Sequence, residues 1–400
     1  MTRVARLFVL MALAACADDP TQSNDTGTSA QDDASLYDWL VGEEVPTSRV
    51  IFAMPDADAL ADSKIQDEPR YKVGITVPVD ADIDLGGATP MPGAAPVPVA
   101  DGAIRFHSDG FVWSAVLESP GATSLRLGFD DFDLPEGVAL YLYNDLGQVT
   151  GPYTESGANH RGTFFANTLP TDLVHLQLRY DGTDIAATLA EIEFVLSEVA
   201  YLDDRFVLGR PPARPGQRTH CTDNAVCVEN AECDLNDPAG EAAVADKRDA
   251  VGQMLFASGG SWYICTGGLL ESLTGTLGYF MTANHCISTA AEAASLQTYW
   301  HFTTPCGTTV CDTAWAPDAT TNPPAGSGAT IVDTNATTDF TLLKLDTDPP
   351  VTTKHLPWNH TPIALTAGEK LYRISHPSGS PQAYSAHEVF TGWDNCGGAG

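Results

Sequence analysis

Basic side chains are scarce in this 400-residue chain. Twenty Lys and Arg stand against 52 Asp and Glu, giving a formal net charge of −32 at pH 7. Nucleic acid and anionic lipid headgroups are both held by basic patches, so neither is an expected partner. The surplus of carboxylates is read as a solubility device. Long apolar runs are scarce as well: after Leu7–Ala15 no segment is long and apolar enough to span a bilayer. Cysteine, of which the chain has 9, is missing from the whole stretch 17–220. A long cysteine-free stretch followed by eight cysteines marks two regions of different make-up.

The N-terminus reads as a targeting segment. Arg3 and Arg6 precede the apolar run, which ends Leu13-Ala14-Ala15-Cys16. That layout is a secretory signal, too short for a membrane span. The ending resembles a bacterial lipobox, so residues 1–16 are expected to be a lipoprotein signal and Cys16 the lipidated residue. An ordinary signal with an incidental cysteine is the alternative. Ala17 stands where an aspartate would favour inner-membrane retention, and the expected location is the bacterial outer membrane or cell surface, with the membrane reached through the lipid anchor. Release after processing stays open.

Export makes Cys221, Cys227, Cys233, Cys265, Cys286, Cys306, Cys311 and Cys396 disulfide candidates. A zinc site from His220, Cys221, Cys227 and Cys233 is the competing reading. Its five-residue gaps do not fit the short paired spacings of structural zinc sites. No metal and no cofactor is expected.

Composition divides the chain further. Residues 17–45 are rich in Asp, Thr, Ser and Gly and read as a flexible tether. Gly86–Gly102 carries several prolines and reads as a loop. Within 46–203, Phe111–Leu117, Val138–Tyr143, the alternating Leu125, Leu127, Phe129 and the alternating Val174, Leu176, Leu178, Tyr180 predict strands separated by turn signals such as Asp109-Gly110. Short strands at this spacing predict an antiparallel β-sandwich, serving as a pro-domain or an accessory domain. Its histidines His107, His160 and His175 form no cluster in sequence and are read as surface or strand-face residues. Residues 204–220 are a linker whose segment Gly209–Arg218 holds three arginines among prolines and glycines, with Arg218 as the expected processing site.

The chemistry sits in 221–400. Tyr263–Leu270 is an apolar strand with two adjacent glycines, where another backbone approaches closely. Tyr279–Thr282 is its expected partner and leads into Ala283-Asn284-His285-Cys286. Asp339 heads the buried run Phe340-Thr341-Leu342-Leu343. A histidine fixed at a strand end and a carboxylate at the head of a neighbouring strand suit a general base and its orienting group. A Gly-x-Ser-Gly nucleophile setting is absent from the 400 residues. Ser378-Gly379-Ser380-Pro381 looks similar, but it follows His376-Pro377 and comes too soon after Asp339 for either serine to be the expected nucleophile.

From about Cys221 onward the chain resembles the lysyl-endopeptidase-like branch of bacterial chymotrypsin-fold serine proteases. The matching stretches are Cys265–Leu269, Phe280–Cys286, Thr338–Leu345, His376-Pro377 and the terminal Gly-Gly-Ala-Gly. The resemblance implies a double β-barrel, an acyl-enzyme mechanism on protein or peptide substrates, and secretion with a pro-region. It assigns His285 as general base and Asp339 as orienting carboxylate, and it implies the disulfides Cys265–Cys286 and Cys233–Cys306. Cys221, Cys311 and Cys396 exceed the pattern, and Cys227 has no assigned partner. The family's nucleophile, oxyanion hole and specificity-pocket acid fall beyond residue 400, and Trp393 matches only ambiguously, so lysine preference does not carry over. The expected fold is therefore all-β: an N-terminal antiparallel β-sandwich, then a partial chymotrypsin-like double β-barrel. The expected function is a secreted serine endopeptidase precursor, C-terminally incomplete and inactive as given. The other class considered is a non-catalytic surface lipoprotein with a degenerate protease-like binding module.

Overall fold

A computed structural model describes residues 30–53, 55, 70–202, 229–233, 240, 242, 244–245, 247–275, 277–303, 325–350, 352–359 and 367–390. The early strands are β1 (Arg49–Ile51), β2 (Tyr71–Asp84), β3 (Val97–Val99), β4 (Gly102–His107), β5 (Gly110–Glu118) and β6 (Ser124–Asp130). They are followed by β7 (Val138–Tyr143), β8 (Val149–Tyr153), β9 (Phe164–Phe165), β10 (Leu173–Asp181) and β11 (Glu193–Leu202). The protease-like region contributes β12 (Glu229–Asn230), β13 (Val251–Ser258), β14 (Ser261–Leu269), β15 (Tyr279–Thr282) and β16 (Gln297–Tyr299). The last five are β17 (Ala325–Ser327), β18 (Ala329–Asn335), β19 (Phe340–Leu345), β20 (Lys370–Ser375) and β21 (Ala383–Glu388). Helices are short apart from α1 (Ala30–Glu43); α2 is Ile185–Ala190 and α3 is Ala290–Ala294. The chain is all-β, and among the described strands every pairing is antiparallel except that of β1 with β5.

Two sheets face each other in the first half. One runs β3-β4-β5-β10-β7-β8. The other carries β2, β11, β6 and β9. Their inner faces share one core, in which Trp113, Leu178 and Leu140 of the first sheet pack with Leu127, Phe129, Phe194 and Leu196 of the second. Alternation explains it: Val174, Leu176, Leu178 and Tyr180 of β10 point inward. This is the expected sandwich.

The second sheet does not stop at the sandwich. β2 pairs with β11 on one side and with β14 on the other, Ser261 opposite Ile75 and Ile264 opposite Tyr71. The sheet thus continues β11-β2-β14-β13-β16 into the protease-like region, where β14 also pairs β15, then β19 and β18. Gly74 of β2 serves the pairing with β11, because a Cβ there would overlap the Tyr201 carbonyl. Val73, Ala200 and Leu202 of the sandwich then bury against Leu255, Trp262, Ile264 and Tyr299. Arg126 of β6 is buried in the same junction. It donates to the Ala166 carbonyl (2.7 Å) and to the Ser295 carbonyl (2.9 Å), with its guanidinium 4.9 Å from the Trp262 ring centroid. Burial pushes its pKa down to about 10, so it stays charged at neutral pH.

One expectation is corrected. The stretch 17–45, read as a flexible tether, contains α1 over Ala30–Glu43. Its polar composition suggested no burial, yet Leu40 is fully buried. The cause is the outer face of β10, whose His175, Gln177 and Arg179 need partners. Gln177 donates to the Leu40 carbonyl (3.0 Å), and the Arg179 guanidinium lies 3.5 Å from the Trp39 ring centroid. The Pro-rich Gly86–Gly102 loop likewise ends in the short strand β3, paired with β4. The expected signal at 1–16 with Cys16, and the linker 204–220 with Arg218, lie outside the described residues.

Candidate active site

The site is built from two turns that meet. β15 ends at Thr282, and the chain turns through Asn284 and His285, with the Cys286 and Ile287 amides donating to the Ala283 carbonyl (3.1 and 3.3 Å). The Cys265–Cys286 disulfide ties that turn to β14. Of the two glycines in β14, Gly267 has the sharper reason, since a Cβ there would run into the Phe280 ring. β15 and β19 pair with Thr282 opposite Thr341, which carries the β18–β19 hairpin turn beside the histidine turn. Asn335 shapes that hairpin, its side-chain oxygen accepting from the Thr337 and Thr338 amides (2.9 and 3.1 Å). Asp339, the last turn residue, has φ +50°, a left-handed conformation that aspartate tolerates better than most residues.

The two turns are joined by four polar links. Asp339 Oδ2 meets His285 Nδ1 at 2.7 Å, and Asp339 Oδ1 accepts from the His285 backbone N–H at 2.9 Å. Asn284 donates to Thr334 Oγ1 (2.8 Å), and Thr341 Oγ1 donates to the Ile287 carbonyl (2.6 Å). The backbone bond from His285, then its side-chain bond, hold the Asp339 carboxyl below its ordinary pKa. The carboxylate is therefore ionised at neutral pH and fixes the tautomer with Nδ1–H toward Asp339. Nε2 has no hydrogen-bond partner among the described residues. The side chains are 40% and 50% exposed, so the pair opens to solvent. Such an arrangement can take a proton at Nε2 and stabilise the imidazolium that results.

A layer behind the dyad was not legible in the sequence. Arg70, just ahead of β2, donates from Nε to the His285 carbonyl (2.5 Å) and pairs through Nη1 with Glu292 (2.7 Å). Glu292 caps α3 in a reciprocal capping box with Thr289, and its carboxylate also accepts from the Ser288 amide (2.8 Å) and the Ser258 hydroxyl (2.7 Å). Burial alone would raise its pKa, but the Ser288, Ser258 and Arg70 bonds outweigh that and bring it to about 2. A Thr-x-x-Glu pair at 289–292 is a capping-box signal visible in sequence; Arg70 carries none, since its contact spans 215 residues.

Other predicted residues fall elsewhere. Ser380 is buried and donates from Oγ to the Pro381 carbonyl (3.2 Å), while Ser378 sits in a turn at φ +51°. Neither hydroxyl is hydrogen-bonded to His285. His376 is buried, with Nδ1 donating to the Ser380 carbonyl (3.0 Å) and its ring stacked on Phe302. Burial pushes its pKa down to about 4, so it is neutral. Cys265, His285 and Cys286 lie close enough to suggest a metal cluster, but both sulfurs are committed to the disulfide. Cys233 is disulfide-bonded, and its expected partner Cys306 lies outside the described residues, as do Cys221, Cys227, Cys311, Cys396 and Trp393.

Two comparisons with known proteins give a likeness. Residues 221–398 match the family model described as lysyl endopeptidase, C-terminal domain. Lysyl endopeptidase of Pseudomonas aeruginosa is 27% identical over 321 residues, which cover 78% of this chain and 64% of that protein. The chain thus spans under two thirds of the length of this curated relative.

Proposed function

We propose, for a chain whose residues 221–398 match the lysyl endopeptidase C-terminal domain model, a secreted serine endopeptidase precursor that cleaves protein or peptide substrates through an acyl-enzyme. The observation that carries the proposal is the doubly bonded His285–Asp339 pair, with Nε2 open, in a turn pinned by the Cys265–Cys286 bridge. His285 acts as general base: it takes the proton of a serine hydroxyl as that oxygen attacks the scissile carbonyl, then returns it to the leaving amine. Asp339 stays ionised and stabilises the imidazolium between those two transfers. The nucleophile is proposed to lie in sequence beyond residue 400, together with its oxyanion hole, one donor of which is normally the nucleophile's own N–H. Without it the 400 residues are inactive.

Export through the signal at 1–16, anchoring at Cys16 and cleavage near Arg218 belong to the same proposal. Cys16→Ser that still partitions into detergent like the parent removes the anchor from it, because acylation dominates such partitioning. N-terminal sequencing of processed protein is expected to start between Pro211 and Cys221. The central test is casein or peptide hydrolysis by the protein at its natural length. Loss in His285→Ala and Asp339→Asn supports the endopeptidase. Undiminished hydrolysis in both variants refutes the dyad, and no hydrolysis by the parent favours a non-catalytic surface lipoprotein.

A further inference from the structure

Arg70 belongs by sequence to the sandwich, yet its side chain ends inside the protease-like region. The guanidinium is only 16% exposed and lies 5.7 and 5.6 Å from the Phe256 and Tyr263 ring centroids, so its direction is fixed by packing. Its backbone is fixed as well, because the next two residues pair with β14, Tyr71 opposite Ile264 and Lys72 opposite Tyr263. From this position one side chain holds two ends of one turn. Nε takes the carbonyl of His285, and Nη1 takes Glu292, which in turn accepts from the amides of Ser288 and Thr289 (2.8 and 2.9 Å). The backbone from His285 to Thr289 is thus clamped from behind, while Asp339 holds the imidazole and the His285 amide from the front.

We infer that Arg70 is a positioning residue for the His285 base, so that the N-terminal sandwich completes the candidate active site and does not merely precede it. The inference rests on the proposed endopeptidase reading. Arg70 touches no reacting atom; it acts on the carbonyl of His285 and through Glu292. A base must be held close to its productive geometry, and displacements near 1 Å cost about a hundredfold in rate. A cut in the linker 204–220 leaves Arg70 on the fragment that bears the sandwich. The two fragments are therefore expected to stay together through β2–β14, and a protease-like region stripped of the sandwich is expected to behave as an Arg70 deletion.

The test uses the protein at its natural length with Arg70→Ala, Arg70→Lys and, as a docking control, Arg161→Ala. Arg161 bridges the same two regions through Asp346 (2.9 Å) but lies away from His285. Two readouts are taken: the low-field proton resonance of the His285 Nδ1–H···Asp339 bond, and kcat and KM separately. Expected for Arg70→Ala is a broadened or lost resonance and a kcat lowered up to about 100-fold at similar KM, the scale for a misplacement near 1 Å. Arg70→Lys keeps a cation over the two rings and restores part of both signals, and Arg161→Ala leaves both unchanged. Should Arg70→Ala fail to fold, Glu292→Gln, which releases the same turn, is read in its place. An unchanged resonance and kcat in Arg70→Ala, an increase in kcat, or an equal loss in Arg161→Ala overturns the inference. If the parent hydrolyses nothing, the endopeptidase reading fails, while the resonance still decides whether Arg70 positions the dyad.

Discussion

Among the described histidines that sit against carboxylates, His175 and His285 come one from each region and differ in what is left over; a third, His301, meets Asp249 at 3.3 Å. His175 of the sandwich has both ring nitrogens engaged, Nδ1 with Glu44 and Nε2 with Asp145, each at 2.9 Å, and it stacks on Tyr143 with centroids 4.8 Å apart. Its side chain is 14% exposed. His285 has one nitrogen engaged, by one carboxylate, and is 40% exposed. To donate to two carboxylates an imidazole must be protonated, so His175 is a cationic latch. Burial lowers its pKa, but bonds to Glu44 and Asp145 outweigh that and raise it. His285 leaves one ring nitrogen for a third party. A histidine–carboxylate contact alone therefore indicates nothing catalytic; the role proposed for His285 rests on the free nitrogen and the turn that holds it.

Substitution breaks the comparison most sharply. At natural length, His285→Ala and Asp339→Asn are each expected to lower kcat/KM about 10⁴-fold, the scale for removing one member of such a constellation. His175→Ala is expected to leave kcat/KM unchanged and to lower stability by about 0.5–1.5 kcal/mol, the net worth of an ordinary hydrogen bond, because Asp145 is 73% exposed and Tyr143 still bonds Glu44. A loss of activity in His175→Ala comparable to that in His285→Ala would erase the distinction.

The disulfide sharpens the same contrast, because the candidate site is cross-linked beside its histidine and the latch is not. Cys286→Ser is expected to cost about 2–5 kcal/mol and to lower the yield of folded protein. Non-reducing peptide mapping must find Cys265 and Cys286 in one linked fragment. At the junction between the regions, Arg126→Ala removes a buried side chain and the donors to the Ala166 and Ser295 carbonyls. Chemical denaturation is expected to show a loss of about 2–4 kcal/mol.

Acid and alkali should act on different regions. His376 has its pKa depressed to about 4, so its unfolded form binds protons first and stability falls as pH drops from about 6.5 to about 4. Glu292 follows with the same sign from about 4.5 to about 2. His175 has the opposite sign: its pKa is raised, its contribution is whole below about 6.5 and is lost as pH rises through the raised value. Hydrogen exchange against pH is the measurement. Acid is expected to loosen the His376 and Glu292 surroundings first, and rising pH the α1–β10 contact. The reverse order would contradict these assignments.

Much of this was legible in the sequence, for physical reasons. Strands such as Leu173–Asp181 alternate apolar and polar residues, and that local pattern suffices to find them. His285, Asp339 and the Cys265–Cys286 bridge were legible because each sits in a short stretch of fixed context. Helix α1 was not, because what stabilises it is the outer face of β10 more than a hundred residues away. Nor was the β2–β14 seam, since two strands from separate regions carry no joint signal. Arg70 is hidden for the same reason. An arginine ahead of a strand is unremarkable until the fold brings it to the His285 carbonyl.

The most direct test is a serine-directed fluorophosphonate label applied to the protein at its natural length and to its His285→Ala variant. The account predicts labelling of one serine outside residues 1–400, lost or greatly slowed in His285→Ala, and no labelling of the 400 residues alone. Labelling of the 400 residues that disappears in Ser378→Ala or Ser380→Ala, or no labelling at natural length, would contradict it.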